Sequence, residues 1–232
     1  NTIYEVIRLE DGVPLFLEDY LDRLVNSFKL NDVPMPLSTQ ELQSEIRRLS
    51  ILNNCKNKPV KLLFGNGEPS YVMMHLMKPH LPKPGEYKTG VKTIFLEETR
   101  LNPNAKNLNV ELRKKSEKIL FAENAYESIL VNDEGYITEG SRSNVFFIKD
   151  QTVFTCPNEF ILPGITRKKV LQIIKEAGIK IEFHRFTPES LSNFTSCFLT
   201  GTTRKIVPVR NIGIYPFSVV DPTLLHIAVR FD

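Results

Sequence analysis

Cysteine is scarce in this sequence, and metal-ligand spacing is absent. Only Cys55, Cys156 and Cys197 occur in 232 residues. They are far apart and odd in number, which argues against a disulfide framework and for a reducing compartment. The histidines His75, His80, His184 and His226 share no zinc-type spacing with them, so no metal site is expected. No apolar run approaches the ~20 residues that cross a bilayer, so no membrane association is expected. Charge of one sign is lacking too. Thirty Lys and Arg are interspersed with 27 Asp and Glu, for a net charge of +3, which leaves no footprint for nucleic acid. The glycine-rich phosphate loops G-x-G-x-x-G and G-x-x-x-x-G-K-[ST] do not occur, so two common nucleotide sites lose their support. No charged-then-apolar leader is visible from Asn1, and a cytoplasmic location is expected. There is no internal repeat. What remains is an ordinary globular composition, 41% hydrophobic and 25% charged, enough for one large domain or two small ones.

The pattern along the chain is mixed. Ile3 to Leu9 alternates as a strand, and Asp11-Gly12 marks a turn. Leu17, Leu21, Leu24, Val25 and Phe28 recur at helical spacing within Phe16 to Leu30. Ser38 with Glu41 is a capping-box start for a helix to about Leu52. Pro59 to Gly65 and Tyr71 to Lys78 read as paired strands joined through Gly65-Asn66-Gly67. A proline-rich loop follows, then a strand over Val91 to Leu96. Polar residues ending in Asn102-Pro103-Asn104 place a domain boundary at 99–104, with a small domain over 1–98 and a larger one over 105–232. In the second part, helices are expected over Val110 to Ala125, Thr166 to Ala177 and from Pro222, with a short one capped by Thr187. Strands are expected over Ser128 to Val131, Ile137 to Ile148, Val153 to Cys156, Lys180 to Phe186, Cys197 to Thr202 and Ile206 to Ile214. Strands outnumber helices without strict alternation. That favours an α+β arrangement of two α/β domains over a doubly wound sheet.

Four segments carry chemistry. Asn102-Pro-Asn-Ala-Lys106-Asn-Leu-Asn puts one lysine at the boundary, and a partly desolvated lysine amine is a nucleophile. Read alone, a solvated loop lysine is the commoner case. Tyr136-Ile-Thr-Glu139-Gly-Ser-Arg-Ser-Asn144-Val-Phe-Phe sets a carboxylate inside an apolar strand. Burial of that charge needs a partner, although an edge bulge with solvated side chains has the same pattern. Ile161-Leu-Pro-Gly164-Ile165-Thr166-Arg167 opens a glycine turn into a helix, whose free N–H groups suit a phosphate or an ordinary cap. Leu199-Thr-Gly-Thr202-Thr203-Arg204 ends a strand in hydroxyl residues that could approach a phosphate or simply form a polar turn.

Together and in this order, the four segments resemble the class IV aminotransferases, the fold type IV pyridoxal-phosphate enzymes. The likeness runs from Tyr4-Glu-Val-Ile-Arg8 to Ile206-Val-Pro-Val209. The Thr138-Glu139-Gly140 … Ser143-Asn144-Val145-Phe146 and Leu162-x-Gly164-Ile165-Thr166-Arg167 blocks are its specific parts. It implies a small N-terminal α/β domain and a larger C-terminal mixed-sheet domain, with pyridoxal 5′-phosphate as cofactor. Lys106 would carry the cofactor as a Schiff base and later move the proton. Glu139 would pair with the pyridine nitrogen and keep the ring an electron sink. Leu162 would pack on the ring. Gly164, Ile165 and Thr166 would form one half of a phosphate cup and Thr202 the other, with Arg23 of the first helix meeting the phosphate. The substrates would be an amino acid and a 2-oxo acid, and the assembly a homodimer.

Substrate identity is not implied. The Arg and His pair by which D-amino-acid enzymes trap a carboxylate is not found in Lys61 to Lys78, where His75 reads as a packed or surface residue. The branched-chain pattern is missing too. Tyr4, Arg8 and Arg142 are the remaining candidates for a carboxylate contact. Compared with the family, both ends look short. Two other readings stand beside the aminotransferase. One is a pyridoxal-phosphate lyase acting on aminodeoxychorismate, against which Thr202-Thr203 counts. The other is a cofactor-binding protein or scaffold without turnover, against which the presence of both Lys106 and Glu139 counts.

Overall fold

The computed structural model describes residues 2–65, 67 and 70–231. The chain divides into two compact units: Asn1–His80 with Asn104–Leu108, and Leu81–Pro103 with Asn109–Asp232.

The first unit begins with β1 (Thr2–Ile7), a short hairpin of β2 (Leu9–Glu10) and β3 (Val13–Pro14), and the helices α1 (Leu17–Leu30) and α2 (Thr39–Leu52). It closes with β4 (Val60–Gly65) and β5 (Tyr71–Leu76). The three long strands form an antiparallel sheet in the order β1-β4-β5. Successive strand residues point to opposite faces. The register therefore puts Ile3, Glu5 and Ile7 on one face with Val60, Leu62 and Phe64. Tyr4 and Val6 share the other face with Lys61, Leu63, Met73 and His75. The first face is the core, where Phe28 of α1 meets Phe64 edge-on. α1 turns in after Phe16 in left-handed backbone and buries Leu17, Tyr20, Leu21, Leu24 and Phe28. Asn66, in the expected turn after β4, lies outside the described residues.

The second unit holds α3 (Glu86–Thr89), β6 (Val91–Glu97), α4 (Val110–Ala122), β7 (Glu127–Val131), β8 (Ile137–Gly140) and β9 (Asn144–Lys149). It continues through β10 (Thr152–Thr155), α5 (Ile165–Glu176), β11 (Ile181–Phe183), β12 (Ser196–Gly201), β13 (Lys205–Ile212), β14 (Tyr215–Pro216) and α6 (Pro222–Phe231). Its nine strands form one mixed sheet in the order β11-β10-β9-β12-β13-β6-β7-β8, with β14 on β13. Each face of the sheet carries a core. Phe146, Ile148 and Phe198 pack with Val170 and Ile174 of α5 and Leu224 and Ile227 of α6. The alternate residues Val145, Phe147 and Leu199 pack with Val91, Ile129 and Val209.

Four sequence expectations differ from the structure. Strand β6, expected in the small domain, pairs in parallel with β7 and β13 and so belongs to the second unit. The chain therefore changes unit after His80, and only Asn104–Leu108 returns to the first; the expected division at 99–104 differs on both counts. The single strand expected over Ile137 to Ile148 is two strands, broken where Gly140 and Ser143 bond each other's backbone. Thr187 precedes a 3-10 turn but makes no side-chain cap bond, and Pro188 and the acidic Glu189 stand at its first turn.

The Ser38 box forms as expected. Glu41 N–H donates to Ser38 Oγ at 3.2 Å, and Ser38 N–H donates to the Glu41 carboxylate at 2.7 Å. Ser38→Ala is expected to cost about 1 kcal/mol, a fall of roughly 2–4 °C in Tm for a chain of this size. Thermal unfolding followed by circular dichroism reads it, and an unchanged Tm would mean the cap bonds do not form in solution.

Candidate active site

Lys106 lies on the short segment that returns to the first unit, and its backbone is fixed from two sides. Tyr4 N–H donates to Lys106 O at 3.1 Å, and Leu108 N–H donates to Thr2 O at 2.8 Å. The segment thus runs along the free edge of β1. Lys106 N–H donates to Ser27 Oγ of α1 at 3.0 Å, and Asn107 exchanges amide bonds with Asn31. Little freedom is left to the backbone that carries the amine.

The amine itself is mostly buried. Lys106 Nζ is 4.0 Å from Glu5 Oε1 and stands over the Tyr4 ring, 4.9 Å from its centroid. Glu5 is fully buried among apolar residues, where a lone carboxylate charge would be very costly. Arg23 meets it with two parallel bonds, Nε at 3.0 Å and Nη2 at 2.7 Å. Burial alone would lower the Arg23 pKa, but Glu5 outweighs it and raises the value. Arg23, expected at a phosphate, thus has Glu5 as its near partner, with its Nε and Nη2 taken up.

In the second unit, the strand break after β8 exposes a second buried carboxylate to donors. Glu139 Oε1 pairs with Arg100 Nε at 2.8 Å. Its Oε2 accepts from Asn144 Nδ2 and from Leu162 N–H, each at 3.2 Å. Asn144 Nδ2 also donates to Leu162 O at 2.9 Å. One amide therefore fastens the Glu139 carboxylate to the segment leading into α5. Gly164, at the cap of that helix, makes this possible: a Cβ there would stand 2.1 Å from Asn144 Oδ1. No side chain caps the helix, and Ile165 and Thr166 are buried at its first turn. Across the strand pair, Thr200 is in register with Asn144. Its hydroxyl is buried without a partner among the described residues.

A third carboxylate holds the neighbouring turns. Glu127 accepts from Ser141 Oγ at 2.6 Å, Ser143 Oγ at 3.0 Å and Arg204 Nη1 at 2.7 Å. It therefore ties the bend at 141–143 to the turn that contains Thr202. Burial would raise the Glu127 pKa, but Arg204, Ser141, Arg142 and Ser143 together lower it.

Of the residues expected to meet a substrate carboxylate, Tyr4 stands beside Lys106 within the first unit. Arg8 pairs with Glu10 at 2.8 Å, and Arg142 pairs with Glu117 of α4 at 2.6 Å. Arg167 turns away to Cys156 O and Asn158 Oδ1. Sequence reasoning missed Glu5, Ser27, Arg100, Glu127 and Arg204. Glu5 did leave a signal, since it interrupts the core-facing series Ile3, Ile7. The others left none, because each depends on a partner far away in sequence.

Known proteins give a consistent comparison. The family model for amino-transferase class IV matches residues 2–212. A D-alanine aminotransferase of Bacillus licheniformis is 31% identical over 227 residues, which span 90% of this chain and 78% of that protein. A branched-chain amino acid aminotransferase from T.th., solved with N-(5′-phosphopyridoxyl)-L-glutamate, superposes with a TM-score of 0.87 at 24% identity. That match covers 100% of this chain and 83% of the other. A putative 4-amino-4-deoxychorismate lyase from Legionella pneumophila superposes equally well, with a TM-score of 0.86 at 20% identity, over 100% of this chain and 91% of its own. The fold alone does not separate the two chemistries.

Two outcomes test this geometry. Gly164→Ala should displace Asn144 and cost about 1–3 kcal/mol; an unchanged denaturation midpoint would contradict the close approach. Glu127 has a folded pKa below its ordinary 4.5. Its contribution is therefore complete above the ordinary range and is lost as pH falls through the depressed folded value. Glu127→Gln should cost roughly 3–5 kcal/mol at pH 7, with the gap to wild type narrowing as the solution is acidified through that range. A gap independent of pH would contradict the assignment.

Proposed function

The chain belongs to the class IV aminotransferase family, and from that premise we propose that Lys106 is its catalytic lysine. The activity is transfer of an amino group between an amino acid and a 2-oxo acid, with pyridoxal phosphate as cofactor. The observation that carries the residue assignment is the setting of the Lys106 amine, mostly buried against Glu5 and Tyr4 on a backbone fixed from two elements.

The residues present fit the cofactor. Among the described residues the buried Thr200 hydroxyl has no hydrogen-bond partner and no side chain caps the helix start at Ile165, and both are polar groups that suit a phosphate. When bound, pyridoxal phosphate supplies an aldehyde that condenses with amines and a pyridinium ring that takes up an electron pair. Attack by Lys106 needs a neutral amine. The Glu5 charge would favour the ammonium form, and Arg23, bonded to that same carboxylate, offsets it. The Lys106 amine would be the base that takes the substrate α-proton and returns it. Glu139, bonded by Arg100, Asn144 and the Leu162 N–H, is the partner we assign to the ring nitrogen. Leu162 would lie against the ring. The N–H groups of Ile165 and Thr166, with Gly164 leaving room, and Thr202 and Arg23 would hold the phosphate.

The same reading includes a homodimer and a cytoplasmic location. Three free, buried cysteines fit a reducing compartment. Among the described residues, no helix is long and apolar enough to cross a membrane.

The test is the visible spectrum of the protein loaded with pyridoxal phosphate, followed by borohydride reduction and peptide mass mapping. A band that responds to amino donors and a reduced adduct on Lys106, both lost in Lys106→Ala, is the expected result. An adduct on another lysine with Lys106→Ala unaffected would overturn the assignment.

A further inference from the structure

We propose that Arg185 is a positioning residue that sets Leu162 and Glu139 from outside the site, a role that rests on those two residues meeting the cofactor ring. Arg185 stands where the sheet of the second unit closes. Strands β11 and β8 are at the two ends of the strand order, yet the chain just beyond β11 returns to β8. Ile137 N–H donates to Phe186 O at 2.7 Å, in an antiparallel bridge between those residues. Phe186 is buried, with its ring edge-on to Phe147 at 5.3 Å. On the other side of Arg185, His184 N–H donates to Thr155 O at 3.1 Å. Both neighbours of Arg185 are therefore fixed, and its guanidinium is delivered to one place.

At that place it lies against two aromatic rings. Its Cζ is 3.8 Å from the Tyr136 centroid and 4.6 Å from the Phe160 centroid, and the Glu134 carboxylate pairs with it. Tyr136 leads into β8, the strand of Glu139. Phe160 ends the 3-10 turn Asn158–Phe160, two residues before Leu162. One planar cation thus fastens the loop that carries Leu162 to the strand that carries Glu139. The turn holds itself weakly. Phe160 N–H reaches Pro157 O at 3.3 Å and Ile161 N–H reaches Asn158 O at 3.4 Å, against about 2.9 Å for an ordinary bond. Arg167 holds the start of the loop through Cys156 O and Asn158 Oδ1. At its end, Glu139 accepts the Leu162 N–H at 3.2 Å. Phe160 against Arg185 supplies the tie between them. Glu134 is mostly exposed, so its ion pair contributes little, and the two rings carry the positioning.

The test takes two readings from the full chain. One is hydrogen exchange at the Leu162 amide before any cofactor is added. The other is equilibrium binding of pyridoxamine phosphate, which has no aldehyde and forms no bond to a lysine. Arg185→Met should speed exchange at Leu162 about tenfold, the value of one cation on two half-buried rings. The Phe147 amide, in the middle of the same sheet, should keep its rate. Binding of pyridoxamine phosphate should weaken by a similar factor. Arg185→Lys, which keeps the charge without the plane, should fall in between, and Glu134→Gln should stay near wild type. Phe160→Leu should repeat the loss and Phe160→Tyr should not. Unchanged Leu162 exchange in Arg185→Met overturns the proposal. So does exchange that rises equally at Leu162 and Phe147, because Arg185 would then serve the fold as a whole. A loss in Glu134→Gln as large as in Arg185→Met overturns the role of the rings. Selective loosening of Leu162 with pyridoxamine phosphate binding intact overturns the reading that Leu162 and Glu139 meet the ring, and the positioning role with it.

Discussion

A carboxylate taken out of water must be met by cations or donors, and among the described residues three carboxylates are almost wholly buried. Each is met by an arginine: Glu5 by Arg23, Glu127 by Arg204 and Glu139 by Arg100. Removing one partner of such a pair costs far more than the pair contributes, because the other charge is left stranded. The pairs therefore act as fixed points. Around Glu5 the first unit sets the Lys106 amine. Around Glu127 and Glu139 the second unit sets the bend at 141–143, the start of α5 and the turn that contains Thr202.

The arrangement also explains why small residues recur near these points. Gly164 has no side chain because Asn144 occupies the space a Cβ would take, and Gly140 has none because Ser143 Oγ does. Both positions let a polar side chain reach a buried carboxylate. A larger residue at either would separate that carboxylate from its donors, so local backbone freedom here serves electrostatics.

Much of the fold was legible in the sequence where one signal sufficed. The Ser38 box, the period of α1 and the alternation of β1 are local, and each follows from a few neighbouring residues. The roles proposed for Lys106, Glu139, Gly164 and Thr166 rest on their joint order, since each alone has an ordinary reading. What was not legible depends on distant pairing. β6 looks like any apolar strand, and only its ladder with β7 and β13 assigns it to the second unit. The break after Gly140 follows from Glu127 taking both Ser141 and Ser143, and nothing within Ile137 to Ile148 announces that partner. Arg100 lies close to Lys106 in sequence, yet its partner is Glu139.

The central claim is that these charges serve amino-group transfer in two halves. The most direct measurement mixes the protein, loaded with pyridoxal phosphate, with a single amino acid and no acceptor, and counts the oxo acid formed. The account predicts up to one oxo acid per bound cofactor and then a stop, with turnover resuming when a second 2-oxo acid is added. Continued release of pyruvate from aminodeoxychorismate without any acceptor would contradict it and identify a lyase instead.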